Sequence, residues 1–208
     1  MKIRDIVLED FVNYKKPSMF INMGNCDWKC CLEQNLDISI CQNSAMAQMP
    51  EIDIESYKII DMYISNPITE SIVIGGLEPF YDFYALYELV NEFRKFTIDD
   101  IVIYTGYYPY EISDKLMHLS QYDNIIIKFG RFIPNDDKHI DPVLGVELAS
   151  KNQYAVKLNR GVQKIIKAMT DKNGYCPCRI DKNEDTKCCC LDFRNQVEGI
   201  CHCGIFSK

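Results

Sequence analysis

Cysteine is the residue that dominates the chemistry open to this chain. The 208-residue sequence contains eleven cysteines, and seven of them lie between residues 173 and 208. That tail spells C-P-C at 176–178, C-C-C at 188–190 and C-H-C at 201–203. Thiolates bind soft metals and iron–sulfur clusters, and they also exchange with disulfides. The first question is therefore whether these thiols hold metal, carry out redox chemistry or only cross-link the chain.

Composition narrows the choice. The formal net charge is −7 and basic residues form no run, which argues against a nucleic-acid partner. No stretch approaches eighteen apolar residues, and MKIRDIVLED does not resemble a secretory signal, so we expect a cytoplasmic protein with no membrane partner. Disulfide frameworks are rare in that compartment. The cysteine count therefore favours metal or redox chemistry over a disulfide scaffold.

The elements that must position the cysteines alternate between strands and helices. Strands are predicted at 18–23, 71–76, 100–106 and 124–130, and helices at 52–64, 82–96 and 110–119, the first with Asp53 as its cap. Continuous apolar strands separated by helices pair in parallel through βαβ units, which predicts an α/β fold. Beyond residue 131 we expect a polar loop, a short edge strand within 147–158, and a helix over 159–174 that Gly174 closes.

The chain divides by composition into residues 1–158 and a cysteine-rich segment, 159–208. The full length is enough for one core of ordinary size. The cysteine tail is too short to bury a core of its own, so it needs a metal, a cluster or the main domain as support.

The first cysteine group follows the first predicted strand. Three thiolates at the carboxyl end of a strand can bind three irons of a [4Fe–4S] cluster and leave the fourth iron open to a small ligand. Cys26 and Cys30 form the C-x3-C part of the usual C-x3-C-x2-C signature, but Glu33 occupies the third position. Cys31 is adjacent to Cys30, so we predict Cys26, Cys30 and Cys41 as the ligands. Buried structural cysteines or a four-cysteine zinc site are the alternatives.

Four further motifs come after the expected strands. They are the GG-E-P turn of IVIGGLEPF (72–80), the TGY turn of IYTGYYPYEI (103–112), the GRF of KFGRFI (128–133) and the S-x-NQ of ASKNQY (149–154). With these motifs in this order, the chain resembles the radical SAM family over about residues 10–158. More narrowly, it resembles the small activating enzyme of the anaerobic ribonucleotide reductase.

The resemblance implies a partial (βα) barrel of the radical SAM type and S-adenosylmethionine as cofactor. Gly75 and Gly76 would let the backbone approach the methionine part of that cofactor, and Glu78 would lie near its ammonium group. The implied reaction generates a glycyl radical on an anaerobic ribonucleotide reductase or another glycyl-radical protein. Ferredoxin or flavodoxin would be the electron donor.

The tail resembles a second family, the catalytic chain of ferredoxin:thioredoxin reductase, down to the G-I-F that follows C-H-C. The resemblance implies a second [4Fe–4S] cluster beside a dithiol that reduces protein disulfides, with thioredoxin as a candidate acceptor. The implied cluster ligands are Cys176, Cys188, Cys190 and Cys201, the implied dithiol is Cys178 with Cys203, and His202 is the implied proton donor or acceptor. Cys189 stands where that family has proline and receives no role.

Together these observations predict a two-part iron–sulfur oxidoreductase. It would carry two [4Fe–4S] clusters, one in each part, and use S-adenosylmethionine. One alternative is a ferredoxin-dependent thioredoxin or disulfide reductase without SAM chemistry. Another is a non-catalytic zinc-binding interaction module, although zinc ribbons favour C-x2-C over the C-x-C of this tail.

Overall fold

A large mixed β-sheet organises the fold of residues 1–208, all of which a computed structural model describes. The strands are β1 (Lys2–Asp10), β2 (Ser18–Met23), β3 (Ile52–Asp53), β4 (Ser71–Gly76), β5 (Asp100–Tyr104), β6 (Ile125–Phe129), β7 (His139–Ile140), β8 (Glu147–Leu148), β9 (Tyr154–Leu158) and β10 (Phe206–Ser207). Eight of them form one open sheet in the order β10-β9-β6-β5-β4-β2-β1-β3, and β7 and β8 form a separate hairpin. The α/β prediction is confirmed, whereas the partial barrel stays a prediction.

The four central strands, β2, β4, β5 and β6, are parallel, as their apolar sequences predicted. Their register aligns isoleucines across the sheet, with Ile21 beside Ile74 and Ile103 beside Ile127. The helices are α1 (Lys29–Leu32), α2 (Ser44–Ala47), α3 (Ser56–Ser65), α4 (Phe83–Phe93), α5 (Ser113–Leu119), α6 (Gln163–Asp171) and α7 (Leu191–Arg194). Helices α3, α4 and α5 make the crossovers between parallel strands. None of the helices combines the length and the apolar character that crossing a bilayer requires.

The two faces of the sheet are covered differently. A core of 37 buried residues joins one face to the main helices, through side chains such as Ile60, Leu89 and Leu116. On the other face a smaller cluster of seven buried residues packs Val102 and Ile126 against Leu144 and Leu148, around the β7–β8 hairpin. The second face carries no long helix, which leaves room for a cavity at the carboxyl ends of the parallel strands.

Two predicted elements are corrected. The helix predicted at 52–64 begins at Ser56, and Asp53 is not its cap, because Ile52 and Asp53 form β3 and pair with β1. The short edge strand predicted within 147–158 is an inner strand. It pairs antiparallel with β6 on one side and with β10 on the other.

The cysteine-rich segment is attached to the rest of the chain through both backbone and core. Phe206 and Ser207 pair with Leu158 and Lys157 at the edge of the main sheet. Phe206 is fully buried, and six of the tail cysteines belong to the same 37-residue core as the helices. The division at residue 158 stays a prediction of the sequence.

Candidate functional site

The four cysteines of the first group line one cavity. It has a volume of about 380 Å³ and lies at the carboxyl ends of the parallel strands; we call it the front cavity. Its wall includes Cys26, Cys30, Cys31, Cys41, Asn22, Gly76, Glu78, Thr105, Gly106, Lys128 and Gln153. The βαβ connections place these residues together because the carboxyl ends of parallel strands meet at one edge of a sheet.

Cys30 is held on the short helix α1, which Trp28 starts from a left-handed conformation (φ 59°). Its sulfur packs directly on Gly106, where an added Cβ would lie 2.6 Å from Sγ. Gln34 fixes the helix by donating from Nε2 to the Cys30 carbonyl at 2.6 Å and to the Phe132 carbonyl at 2.8 Å. The position of this thiol therefore depends on the turn after β5 as well as on its own helix.

Cys31 lines the same cavity as Cys30, about 100° further around the helix. It is only 2 % exposed, and burial, together with the neighbouring Cys41 thiol, raises the pKa of Cys31. Glu33, at the position of the missing third cysteine, is instead hydrogen-bonded to the Arg131 guanidinium at 2.8 and 3.1 Å. The cysteines thus share the cavity, while the glutamate is occupied by an ion pair.

Cys26 receives a hydrogen bond on its sulfur from the Trp28 backbone N–H at 3.2 Å. Burial raises the pKa of Cys26 to about 12 in spite of that bond. The protein alone therefore keeps this group as a thiol. A bound metal would supply the positive charge that makes it a thiolate.

Glu78 joins the ends of β4 and β5. Its Oε1 accepts from the Phe80 amide at 3.0 Å and from Thr105 Oγ1 at 2.7 Å, and its Oε2 accepts from the Gly106 amide at 2.9 Å. Burial nevertheless raises the pKa of Glu78 to about 6. At neutral pH the site therefore contains a fixed, buried carboxylate.

The two glycines of the GG turn have different surroundings. Gly76 lines the cavity with a positive φ of 78°, and an added Cβ would lie 2.8 Å from Asn22 Oδ1 and from Met46 Sδ. Gly75 instead packs within the sheet, where a Cβ would lie 3.0 Å from the Phe20 ring. The close packing of Asn22 and Met46 therefore requires glycine at position 76, and the approach of a cofactor to this backbone stays a prediction.

Lys128 is a cavity residue that the sequence analysis did not single out. Its side chain is buried, forms no salt bridge, and donates from Nζ only to the Gly130 carbonyl at 3.3 Å. Burial lowers the pKa of Lys128 to about 8. The sequence contains a sign of this residue, because Lys128 lies inside the predicted apolar strand NIIIKFG and lysine is rarely buried.

The tail cysteines form a second group. A small cavity of about 10 Å³ is surrounded by Cys176, Cys188, Cys189, Cys190, Cys201, His202 and Cys203, with Phe193 and Phe206. The sulfurs of Cys201 and Cys203 are 3.5 Å apart, and the Phe206 amide donates to Cys201 Sγ at 3.1 Å. The hydrogen bond from Cys203, together with backbone N–H groups that include Phe206, lowers the pKa of Cys201 to about 6. The turn that follows Cys201 therefore stabilises the thiolate form of this residue.

The implied dithiol residues are placed differently from each other. Cys203 is buried within the thiol group, whereas Cys178 is exposed. The Cys178 thiol still lies beside that of Cys176, and His202 is exposed at the rim of the small cavity. Cys178 is thus exposed, and the other six cysteines of the tail are buried.

The donors of both groups fit an iron–sulfur cluster by their chemistry. No three His, Cys, Asp or Glu side chains are arranged to hold a single metal ion. A four-iron cluster has a different requirement, because each thiolate binds a different corner and the sulfurs stand apart around a shared space. The front cavity provides such a space between its four thiols.

Comparison with known proteins gives one match. A family model described as "4Fe-4S single cluster domain" matches residues 18–154, about two thirds of the chain. The matched range contains all four front cysteines and ends before the tail cysteines. No match was found among curated proteins or among solved structures.

Proposed function

We propose that the chain is an iron–sulfur oxidoreductase that holds a [4Fe–4S] cluster in the front cavity. The reason is that the chain belongs to the 4Fe-4S single cluster domain family. The observation that carries this proposal is that Cys26, Cys30 and Cys41 line one cavity at the carboxyl edge of the sheet. A cluster bound there supplies one electron at a time. The cavity continues beyond the cysteines, so it has room for a second ligand.

The residues opposite the cysteines favour a zwitterionic ligand. Glu78 presents a fixed carboxylate and Lys128 an amine without an acidic partner, so ammonium and carboxylate groups of one ligand would both find an opposite charge. The methionine part of S-adenosylmethionine has both groups. Gly76 lines the same cavity.

The finer proposal follows from this ligand and from the resemblance. The chain would be a radical SAM activating enzyme, and its substrate would be a glycine of an anaerobic ribonucleotide reductase or of another glycyl-radical protein. The ion pairs of the buried Arg131 guanidinium with Glu33 and Glu111 would hold the cysteine loop in place.

A second activity is supported by the tail. Cys178 is exposed beside a buried thiol group that includes a stabilised thiolate at Cys201. An exposed thiol backed by such a group suits reduction of a protein disulfide, with ferredoxin or flavodoxin as electron donor and thioredoxin as a candidate acceptor. A disulfide reductase without SAM chemistry, or a zinc-binding module without catalysis, are the rival functions.

Metal content and SAM cleavage separate these functions. Truncation would remove β10, which is a strand of the main sheet, so the full chain is used and selected cysteines are replaced within it. One variant carries serine at Cys26, Cys30 and Cys41, and another carries serine at the four tail ligands Cys176, Cys188, Cys190 and Cys201. Iron, sulfide and zinc are measured after anaerobic purification, and 5′-deoxyadenosine is measured after reduction with SAM.

We expect about eight iron atoms in the wild type, about four for each cluster, and about four in each variant. SAM cleavage should be lost in the front variant only. If the wild type contains iron but does not cleave SAM, the disulfide reductase is the function that remains. If it contains zinc in place of iron, the non-catalytic zinc-binding module remains.

A further inference from the structure

A second cavity lies where the tail meets the main domain. It has a volume of about 230 Å³, and we call it the junction cavity. Tyr108 and Tyr154 of the main domain line it together with the tail residues Cys188, Cys189 and Arg194. The rest of the wall consists of Tyr110 and the charged residues Glu184, Asp185 and Lys187. Its size suits a small molecule and not a folded protein partner.

Cys189 connects this cavity with the tail thiols. It lines both the junction cavity and the small cavity between the tail cysteines. Its amide donates to the Tyr154 hydroxyl at 3.4 Å. A thiol in this position can be reached from the junction cavity and is next to the redox group.

Arg194 supplies a cation without a carboxylate partner in the same wall, and its guanidinium carbon lies 6.0 Å from the centroid of the Tyr154 ring. Its guanidinium makes no hydrogen bond and no salt bridge, and Nε is buried without a partner. The other cation of the cavity, Lys187, is paired with Glu184 at 2.8 Å. Arg194 is half-buried, and its buried Nε has no hydrogen-bond partner within the protein; a carboxylate can satisfy a guanidinium with two parallel hydrogen bonds. Arg194 therefore indicates an anionic ligand.

We propose that the junction cavity binds small disulfides that carry a carboxylate, with Arg194 holding the carboxylate and Cys189 attacking the disulfide. The redox part of this inference rests on the proposed disulfide-reductase activity of the tail. It adds a small-molecule substrate class to the protein disulfides that the exposed Cys178 would meet.

The reaction balances in two steps. The Cys189 thiolate attacks one sulfur of R–S–S–R, the S–S bond breaks, and the first RSH leaves after taking up a proton. The mixed disulfide on Cys189 then accepts two electrons and two protons, which releases the second RSH and restores the Cys189 thiol. A ferredoxin-class donor supplies the two electrons one at a time.

Alkylation tests the anion site without requiring turnover. The full-length, anaerobically purified protein is treated with iodoacetate or with neutral iodoacetamide, and the rate at Cys189 is followed by mass spectrometry. We expect Arg194→Gln to lower the iodoacetate-to-iodoacetamide ratio at Cys189 roughly tenfold, the size of one charge-assisted hydrogen bond. Arg194→Lys should keep part of the preference, and the ratio at Cys178 should not change.

Arg179→Gln is the matched control, because Arg179 pairs with Asp192 and does not line this cavity. It should leave the Cys189 ratio unchanged. An equal ratio in wild type and Arg194→Gln, or no alkylation of Cys189 by either reagent, would overturn the proposal.

Turnover separates this inference from the reductase proposal. Reduction of 3,3′-dithiodipropionate is compared with that of neutral hydroxyethyl disulfide and cationic cystamine. We expect the dicarboxylate to be preferred over the neutral disulfide by roughly tenfold in kcat/KM, and Arg194→Gln to abolish that preference. Equal use of all three would overturn the anion site while the reductase stands. Reduction of none would overturn the reductase and the redox step, and the alkylation ratio would still decide whether the anion site exists.

Discussion

Arg131 holds Glu33 by two hydrogen bonds, from Nε at 2.8 Å and from Nη2 at 3.1 Å. The same buried guanidinium donates to Glu111 at 2.8 Å and to the Gly106 carbonyl. Glu33 directly follows the helix that carries Cys30, so one cation ties the front cysteine loop to the turn after β5. This relationship gives a physical role to the residue that replaces the third cysteine of the usual signature.

Replacing Arg131 with lysine should loosen the front cysteine loop. Lysine keeps the charge but cannot reproduce the two-pronged contact with Glu33. We expect a loss of about 1–3 kcal/mol in the free energy of unfolding, measured by urea titration under anaerobic conditions, together with less iron retained on dilution. Arg160→Lys is the control, because its pair with Asp123 is exposed and should change stability by less than about 1 kcal/mol. Equal losses in the two variants would contradict the role given to Arg131.

Gly106→Ala tests the contact between Gly106 and Cys30. The added Cβ would lie 2.6 Å from Cys30 Sγ, and the sulfur must move because the backbone turn is held by Glu78. We expect iron content to fall by about four atoms per chain while the fold is retained. Gly161→Ala is the comparison, since no atom lies within 4 Å of the added group, but its φ of 76° is strained. It should cost about 1 kcal/mol of stability and no iron. Full iron content in Gly106→Ala would contradict the requirement for close packing of Cys30 on Gly106 at the cluster site.

The sequence was sufficient for the features that depend on local composition. The apolar runs at β2, β4, β5 and β6 predicted a parallel core, and their order brought the first cysteines and Glu78 to one edge of the sheet. These conclusions needed only the periodicity of apolar residues and the right-handed βαβ connection.

Features that depend on distant contacts could not be predicted in the same way. Strand β1 exposes Val7 and Leu8, so it lacks the continuous apolar pattern of a buried strand. Strand β10 has only two residues and exists because Phe206 packs into the core. The partners of Arg131 are 98 and 20 positions away in the chain, and no local pattern indicates which carboxylates a buried arginine will meet.

Cys31 and Cys41 should differ in their effect on the front site. Both line the cavity, but Cys31 is almost fully buried and Cys41 is only partly buried. We therefore expect Cys41→Ser to lose about four iron atoms and Cys31→Ser to retain them. Iron and sulfide analysis of both variants in the background of serine-substituted tail ligands isolates the front cluster. The reverse result would assign the third ligand to Cys31.

Lys128 should make the stability of the chain depend on pH. Burial lowers its pKa from an ordinary value of 10.5 to about 8, so between these values the unfolded chain binds more protons than the folded chain. The free energy of unfolding therefore rises with pH through this window, by about 2 kcal/mol between about pH 7.5 and 9.5. Lys128→Met should remove that rise and be more stable at pH 7.5, because it no longer buries an ammonium without an acidic partner.

Urea titrations of the metal-free, reduced protein measure the difference in the free energy of unfolding between variant and wild type. This difference cancels the ionisation of the thiols, which the two proteins share. Lys157→Met, at an exposed position on β9, is the control and should follow the wild type. The opposite outcome is a difference in the free energy of unfolding between Lys128→Met and wild type that is the same at every pH. That result would show that the Lys128 ammonium is already paired with an opposite charge inside the protein. The front cavity would then lack the free cation that the proposed zwitterionic ligand requires.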